Sequence, residues 1–126
     1  MIGGRVLDTS ALLAFATESS VYCAALVWTA VQESIVLAIP STAVAATWAT
    51  LDAGKYPVLE VLLQLHVTVI DPLDGERARA VGLLGGTQAD AHAIACARQR
   101  GWPLVTAEPA RYSDYGHAGV QIEALP

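Results

Sequence analysis

The sequence has few charged residues, and Lys55 is its only lysine. Charged residues make up 15% of its 126 positions and hydrophobic residues make up 54%. An average globular chain has roughly 25% charged residues, and a disordered chain has few hydrophobic ones. The composition therefore excludes a disordered tail and predicts a folded protein with a sizeable core. The net charge is −5, and there is no basic stripe of the kind that general nucleic-acid coat proteins carry.

Cysteine is also scarce. Cys23 and Cys96 lie far apart and form no C-x-x-C pattern, so we expect two buried thiols rather than a metal or redox pair. Asp8 interrupts the first apolar run, which argues against a signal peptide, and no apolar run is long enough to span a bilayer. We therefore expect a cytoplasmic protein without a membrane segment. No repeat or Ser/Gly linker divides the chain, which predicts one domain over residues 1–126.

Short apolar runs alternate with longer amphipathic ones along the chain. The pattern predicts five strands, over Arg5–Asp8, Val36–Pro40, His66–Ile70, Pro103–Thr106 and Val120–Ala124. The predicted helices are one capped by Thr9 or Ser10, one from Ser19 or Ser20 to Glu33, one capped by Ser41 or Thr42, one over Tyr56–Leu65, one from Asp74 to Leu84 and one over Ala89–Arg100. This alternation predicts an α/β fold, with a parallel sheet of about five strands and helices on both faces.

Acidic residues follow several of the predicted strands. Asp8 ends the first strand, Asp71 follows the third, and Glu108 comes just after the fourth. Asp90 heads the last helix on the same face as its apolar residues. The carboxyl ends of parallel strands meet at one edge of the sheet, and clustered carboxylates select hard cations such as Mg²⁺ or Mn²⁺. The sequence therefore predicts a metal site of Asp8, Asp90 and Glu108, whereas Pro72 favours a turn at Asp71.

Each of these acids also has a simpler interpretation. Asp8 can cap the helix that follows it, Asp90 can be an ordinary first-turn acid, and Glu108 can lie in an exposed turn. We interpret the tryptophans as core residues rather than as a base-stacking platform: Trp28, Trp48 and Trp102. Only the joint placement of the acids at one edge favours a site.

Two segments resemble the signature of a known family. The segment Val6–Leu13 (VLDTSALL) resembles the opening of a PIN domain, whose first strand delivers an Asp followed by a Thr/Ser pair. The segment Asp90–Glu108 resembles the later PIN signature: an Ala-rich helix headed by Asp, a Gly, an apolar strand and Thr-x-acid. Both occur in the family's order and at the length of VapC-like toxins, so the resemblance spans essentially the whole chain.

The resemblance implies a three-layer α/β/α sandwich and, for active members, Mg²⁺- or Mn²⁺-dependent cleavage of RNA phosphodiesters. Members often dimerise, and an antitoxin peptide holds toxin members inactive by lying across the acidic groove. On this resemblance Asp8 and Asp90 are the principal catalytic metal ligands, with Glu108 a ligand directly or through water. Ser10 and Thr106 orient carboxylates or waters around the cation. Three arginines are weaker candidates for contact with the phosphate: Arg98, Arg100 and Arg111.

The sequence departs from the family pattern at two acidic positions. VapC-like members usually carry a Glu about six residues past the proline that ends the second strand. Counting from Pro40, that position is Ala46. Glu108 stands where Asp is usual, and its longer side chain can still reach a metal. We therefore expect Mg²⁺ or Mn²⁺ to be bound weakly.

Three functions remain open on the sequence. The first is a VapC-like Mg²⁺- or Mn²⁺-dependent ribonuclease, impaired by Ala46. The second is a catalytically inactive PIN fold that acts by binding a protein, such as an antitoxin, or RNA; a homodimer is expected in both cases. The third, a phosphoreceiver domain, needs an acid pair after the first strand and a lysine after the last. Asp8 stands alone and Lys55 is misplaced, so the sequence disfavours this third function.

Overall fold

The computed structural model describes residues 3–126, in which five strands form one parallel sheet. The strands are β1 (Gly4–Leu7), β2 (Val36–Pro40), β3 (Thr68–Asp71), β4 (Leu104–Thr106) and β5 (Ile122–Ala124). Their order across the sheet is β3-β2-β1-β4-β5, and each neighbouring pair is parallel. All five predicted strands are confirmed, and their bounds move by at most two residues.

Helices fill the connections between the strands. They are α1 (Thr9–Ala16), α2 (Val21–Glu33), α3 (Ser41–Thr50), α4 (Tyr56–Leu63), α5 (Gly75–Leu84) and α6 (Gln88–Arg100). Two further segments, Ala53–Lys55 and Pro109–Ala118, are 3₁₀-helical. Gly101 ends α6 with a φ of 70°, the left-handed conformation that a closing glycine adopts readily.

The side chains that begin the helices agree only in part with the predicted caps. Ser20 caps α2 and Asp74 caps α5, as predicted, because each accepts a hydrogen bond from a backbone N–H of the first turn. Asp8 rather than Thr9 or Ser10 caps α1, and its carboxylate accepts from the N–H of Ala11.

The prediction for the start of α3 is wrong. Neither Ser41 nor Thr42 caps this helix, because both lie inside it after Pro40. Their hydroxyls bond elsewhere: Ser41 accepts from the N–H of Leu73, and Thr42 bonds to the ring of His92. The start of α3 is thereby tied to two other segments of the same sheet edge.

Helices cover both faces of the sheet and give the predicted three layers. Alternate strand residues point to opposite faces, so Leu7 packs in one hydrophobic cluster with α1 to α4, and Val6 packs in a second cluster with α6. Cys23 lies in the first cluster and Cys96 in the second, and both thiols are free and buried, as predicted. The core is therefore divided by the sheet into two layers.

One helix leaves apolar side chains in water. On α2, Val21 is 88% exposed and Trp28 is 64% exposed, with Tyr22 also open to solvent. The interpretation of Trp28 as a core residue is therefore wrong. We call these three residues the α2 strip.

Within residues 3–126, no single helix is long and apolar enough to cross a membrane. The pair formed by α1 and α2 meets the same length and composition criteria together, but the two helices are bent by 96°.

The carboxyl ends of the strands meet at one edge of the sheet. Asp8 directly follows β1, and Pro40 pairs with Asp71 across β2 and β3. Asp71 is the last residue of β3 and is 1% exposed, so its interpretation as a turn residue is wrong. Pro72 is consistent with this placement, because a residue before proline favours extended backbone.

Candidate functional site

The three predicted acids share one cavity at this edge of the sheet. The cavity has a volume of about 330 Å³, and Asp8, Asp90 and Glu108 line it together with Ala46 and Arg111. We call this cavity the acidic pocket. Its walls come from the starts of α1 and α6, from α3 and from the segment after β4. The sheet topology therefore brings together acids that are up to 100 residues apart in sequence.

Asp8 forms the buried wall of the acidic pocket and is 3% exposed. One carboxylate oxygen, Oδ1, accepts hydrogen bonds from Ser10 Oγ at 2.7 Å and from the N–H of Ala11 at 2.9 Å. The other, Oδ2, accepts from the Tyr112 hydroxyl at 2.6 Å. Burial and the nearby charge of Asp8 raise the pKa of Tyr112, which keeps this hydroxyl a donor. Asp8 is thus a helix cap and a pocket wall at once.

Ser10, in the first turn of α1, is hydrogen-bonded to Thr106, the last residue of β4. The Ser10 and Thr106 hydroxyl oxygens lie 3.0 Å apart, and Ser10 Oγ accepts from the N–H of Ala107 at 2.9 Å. Thr106 Oγ1 accepts from the N–H of Glu108 at 2.9 Å. These bonds link the carboxylate of Asp8 to the backbone at Glu108.

Arg111 bridges the other two acids. Its guanidinium donates to both carboxylate oxygens of Asp90, each at 3.2 Å, and to Glu108 Oε2 at 3.1 Å. The hydrogen bond to Asp90 is the main cause of the raised pKa of Arg111. The Arg111 side chain is 46% exposed and that of Asp90 is 15% exposed. One of the two negative charges at the open side of the pocket is therefore balanced by a cation from the chain itself.

The other two candidate arginines lie outside the acidic pocket. Arg98 is exposed in the last turn of α6, ~12 Å along the helix from Asp90 at 1.5 Å per residue. Arg100 donates to Asp71 Oδ1 at 3.1 Å. Only Arg111 of the three lies at the pocket, where it contacts carboxylates.

The acidic pocket has the right donor atoms for a hard cation but the wrong arrangement. Carboxylate oxygens suit Mg²⁺ and Mn²⁺. However, no three His, Cys, Asp or Glu side chains in the described chain lie close enough together to hold a metal ion. Arg111 engages Asp90 and Glu108, and Ala46 lines the pocket without a ligand atom. As they are arranged, these residues do not fit a divalent cation.

A second polar cluster lies beside the pocket and was not predicted. Asp71 accepts two hydrogen bonds from Arg77, at 2.9 and 3.0 Å, and one from Arg100 at 3.1 Å. It also lies 2.8 Å from His92 Nε2, and His92 Nδ1 lies 2.8 Å from the Thr42 hydroxyl. We call these five residues the Asp71 network.

The contacts assign one tautomer to His92. The Nε2–H donates to the carboxylate of Asp71, which leaves Nδ1 to accept the Thr42 hydroxyl proton. Burial of this ring lowers its pKa, so the neutral form is the one that fits. A sequence signal for the network exists: His92, Cys96 and Arg100 recur at i, i+4 and i+8 on one face of α6.

Burial and hydrogen bonding act in opposite directions on Asp71. Burial favours the protonated carboxyl and raises its pKa, but the hydrogen bonds from Arg77, His92 and Arg100 outweigh it and hold the pKa below its usual value. Asp71 is therefore an ionised carboxylate enclosed by cations and donors.

Comparison with known proteins identifies the fold. The chain matches no protein-family model and no curated protein sequence. It is similar to the crystal structure of VapBC2 from Rickettsia felis bound to a DNA fragment from their promoter, with a TM-score of 0.70 and 14% identity over 98% of this chain and 99% of that one. It is also similar to PAE2754 from Pyrobaculum aerophilum, with a TM-score of 0.59 and 22% identity over 89% of this chain and 79% of that one. The expected PIN-like α/β sandwich is confirmed.

Proposed function

We propose that this chain is a VapC-like PIN-domain protein of the cytoplasm that keeps the acidic pocket of a metal-dependent ribonuclease but cleaves RNA weakly or not at all. It acts instead by binding, with an antitoxin-like protein as its partner and RNA as a second ligand. The observation that carries the proposal is the bridge from Arg111 to Asp90 and Glu108 in a pocket where Ala46 replaces the usual acid.

Two physical effects support weak catalysis. An active site of this kind uses a cation to bind the scissile phosphate and to activate water. Ala46 removes one ligand for such a cation, and loss of even an outer partner typically costs roughly 10- to 100-fold in metal affinity or activity. The Arg111 charge further lowers the attraction of the remaining acids for a cation.

The proposal is tested with a labelled RNA incubated with Mg²⁺ or Mn²⁺. We expect the wild type to cleave no faster than Asp8→Ala and Asp90→Asn. Both variants are needed, because Asp8 is buried and caps α1, whereas Asp90 lies at the more open side of the pocket. Strong metal-dependent cleavage by the wild type that is lost in Asp90→Asn would contradict the proposal.

That contrary result would support the second candidate, an active Mg²⁺- or Mn²⁺-dependent ribonuclease. The observation in its favour is that Asp8, Asp90 and Glu108 line one pocket. Ser10 and Thr106 are hydrogen-bonded at its base, where they could order carboxylates or waters. In that case Asp8 and Asp90 would be the main ligands, Glu108 would contribute directly or through water, and the cation would supply the activation of water, which requires these acids to move closer together than they lie here.

The α2 strip supports an interaction role. Its large apolar side chains, including Val21 and Trp28, are exposed to water, and exposed apolar patches are typical of surfaces that bind another protein. One of the similar structures is a VapBC2 complex, which is consistent with a protein partner for this fold.

We also propose a homodimer in solution. Light scattering is expected to give about twice the chain mass of 13.2 kDa. A mass of one chain at micromolar concentration would contradict the homodimer.

A further inference from the structure

We infer that α2 forms a self-complementary interface with a second copy of this chain, in which Trp28 of each copy enters a cavity beside α2 of the other. The inference rests on the homodimer proposed above, and it names the surface and the side chain that hold the two copies together. It draws on the α2 strip and on a cavity that shares no residue with the acidic pocket.

This cavity is lined by α2 together with β1 and β5, and its volume is about 250 Å³. Residues on successive turns of α2 form one side, among them Tyr22, Ala25 and Thr29, and Arg5 and Glu123 contribute from the strands. We call it the α2 cavity. It is open to solvent along the exposed flank of the helix, because Ala25 and Thr29 are both exposed.

The charged groups of the α2 cavity are paired with each other. Arg5 Nε donates to Glu123 Oε1 at 3.0 Å, and the Tyr22 hydroxyl donates to Glu123 Oε2 at 3.2 Å. The helix side adds apolar surface from Leu26 and Ala30. A charged ligand has to compete with these bonds, whereas an aromatic side chain can lie against the apolar wall and leave them intact. The lining therefore suits an aromatic side chain.

An exposed aromatic side chain lies next to the α2 cavity on the same helix. Val21 and Trp28 of the α2 strip are seven residues apart, which places them on one face of a helix with 3.6 residues per turn. Ala25 lies on this face between them and also lines the cavity, and Tyr22 belongs to both the strip and the cavity. The protruding indole and the cavity are thus on adjacent faces of α2.

This adjacency favours a closed pair of identical chains. A two-fold axis beside α2 places both indoles and both cavities in one interface, whereas a protrusion and a cavity on distant surfaces produce open chains of molecules. The small side chain of Ala25 lets the two helices approach closely. Trp28 of one copy then reaches the cavity at Ala25 and Thr29 of the other.

The charges of this surface also fit a second copy. Glu33, the last residue of α2, is the only charged residue of the helix, so two α2 helices meet without like charges between them. Arg5 in the cavity offers a guanidinium to the indole, a favourable pair that the chain already forms between Arg100 and Trp102 at 5.5 Å. The α2 surface is therefore electrostatically compatible with itself, although each chain has a net charge of −5.

The first test compares the association of three full-length proteins by light scattering over a dilution series. They are the wild type, Trp28→Ala and the control Leu83→Ala, whose side chain is 90% exposed on α5, a helix with no residue in the α2 cavity. We expect the wild type and Leu83→Ala to dimerise equally. The dimer of Trp28→Ala should dissociate at least tenfold more readily, because a tryptophan that fills a pocket at an interface dominates its affinity.

The second test places a charge on the shared face. Ala25→Glu should be a monomer at concentrations where the wild type is a dimer, since the two carboxylates are brought together and lose water. Val61→Glu is the matched control, because Val61 is an exposed apolar residue of α4 outside the α2 cavity. The tryptophan fluorescence of the wild type should shift to shorter wavelength as its concentration rises, and that of Ala25→Glu should not.

A dimer of Trp28→Ala or Ala25→Glu as tight as that of the wild type would overturn the inference, and the homodimer would then use another surface. Equal weakening by Leu83→Ala would overturn it too, because apolar contact in general would then hold the copies together. A wild type that stays monomeric would overturn both the inference and the proposed homodimer, and the α2 strip would be left to a different protein.

Discussion

The acidic pocket and the Asp71 network are built from the same parts at the same edge of the sheet. Each has a carboxylate paired with arginine through two hydrogen bonds: Asp90 with Arg111, and Asp71 with Arg77. They differ in access to water. The Asp71 side chain is 2% exposed and that of Arg77 is 15% exposed, whereas the Arg111 side chain is 46% exposed.

This difference assigns the two clusters to different tasks. A buried ion pair is costly to break, because the charge that remains is left without a partner and without water. An exposed pair contributes little to stability and can be exchanged. The Asp71 network therefore acts as a structural brace that joins β3, α5, α6 and α3. The acidic pocket contains the more exposed of the two arginine–carboxylate pairs.

The largest expected effect is on the Asp71 network. Asp71→Asn keeps the size of the side chain but leaves Arg77 and Arg100 facing an amide. We expect a loss of about 3 kcal/mol in the free energy of unfolding, as for other broken buried pairs. The matched variant Asp90→Asn should lose less than about 1 kcal/mol. Urea unfolding followed by circular dichroism measures both, and equal losses would remove the proposed difference between the clusters.

A smaller effect is expected when pH is varied on the same variant. The folded pKa of Asp71 lies below its usual value, so its contribution to stability is present above the unfolded pKa, roughly 3.9, and is lost as pH falls through the folded pKa. The difference in unfolding free energy between the wild type and Asp71→Asn should therefore be constant near neutral pH. Below pH ~4 it should shrink by at most about 1.4 kcal/mol per pH unit.

Urea unfolding at several acidic pH values measures this change. Asp90→Asn serves as the control. Its unfolding free energy differs little from that of the wild type, so this difference can change only slightly with pH. A difference for Asp71→Asn that stayed constant down to the lowest pH would show that Asp71 is not held ionised by its partners.

The parts of the structure that depend on local pattern were predictable from the sequence. Val36–Pro40 is a strand with the predicted bounds, and Asp74 caps α5, because apolar runs and capping side chains act within a few residues. The acidic pocket was also predictable. Residues that follow parallel strands share one edge, and this rule places Asp8 and Glu108 together without knowledge of their contacts.

The parts that depend on distant partners were not predictable in this way. The adjacent Pro72 favours a turn at Asp71, whereas Arg100, which helps to hold Asp71 in place, lies 29 residues away in the sequence. The pairing of Arg111 with Asp90 spans 21 residues and joins the 3₁₀ segment Pro109–Ala118 to the start of α6, whose relative position only the fold determines. The exposure of Trp28 depends on which helix lacks a covering layer, and composition does not contain that information.

The sheet divides the core into two layers, and each layer contains one buried cysteine that can report its local opening. Cys23 lies in the layer of α1 to α4, and Cys96 lies in the layer of α6. Burial raises the pKa of each thiol to about 11, so at neutral pH the reactive thiolate is scarce while the layers are closed. A thiol reagent must wait for local opening, and opening free energies differ between parts of a fold. The labelling rate of Cys23 therefore reports the rate at which the layer of α1 to α4 opens. The labelling rate of Cys96 reports the opening of the α6 layer, which the Asp71 network braces.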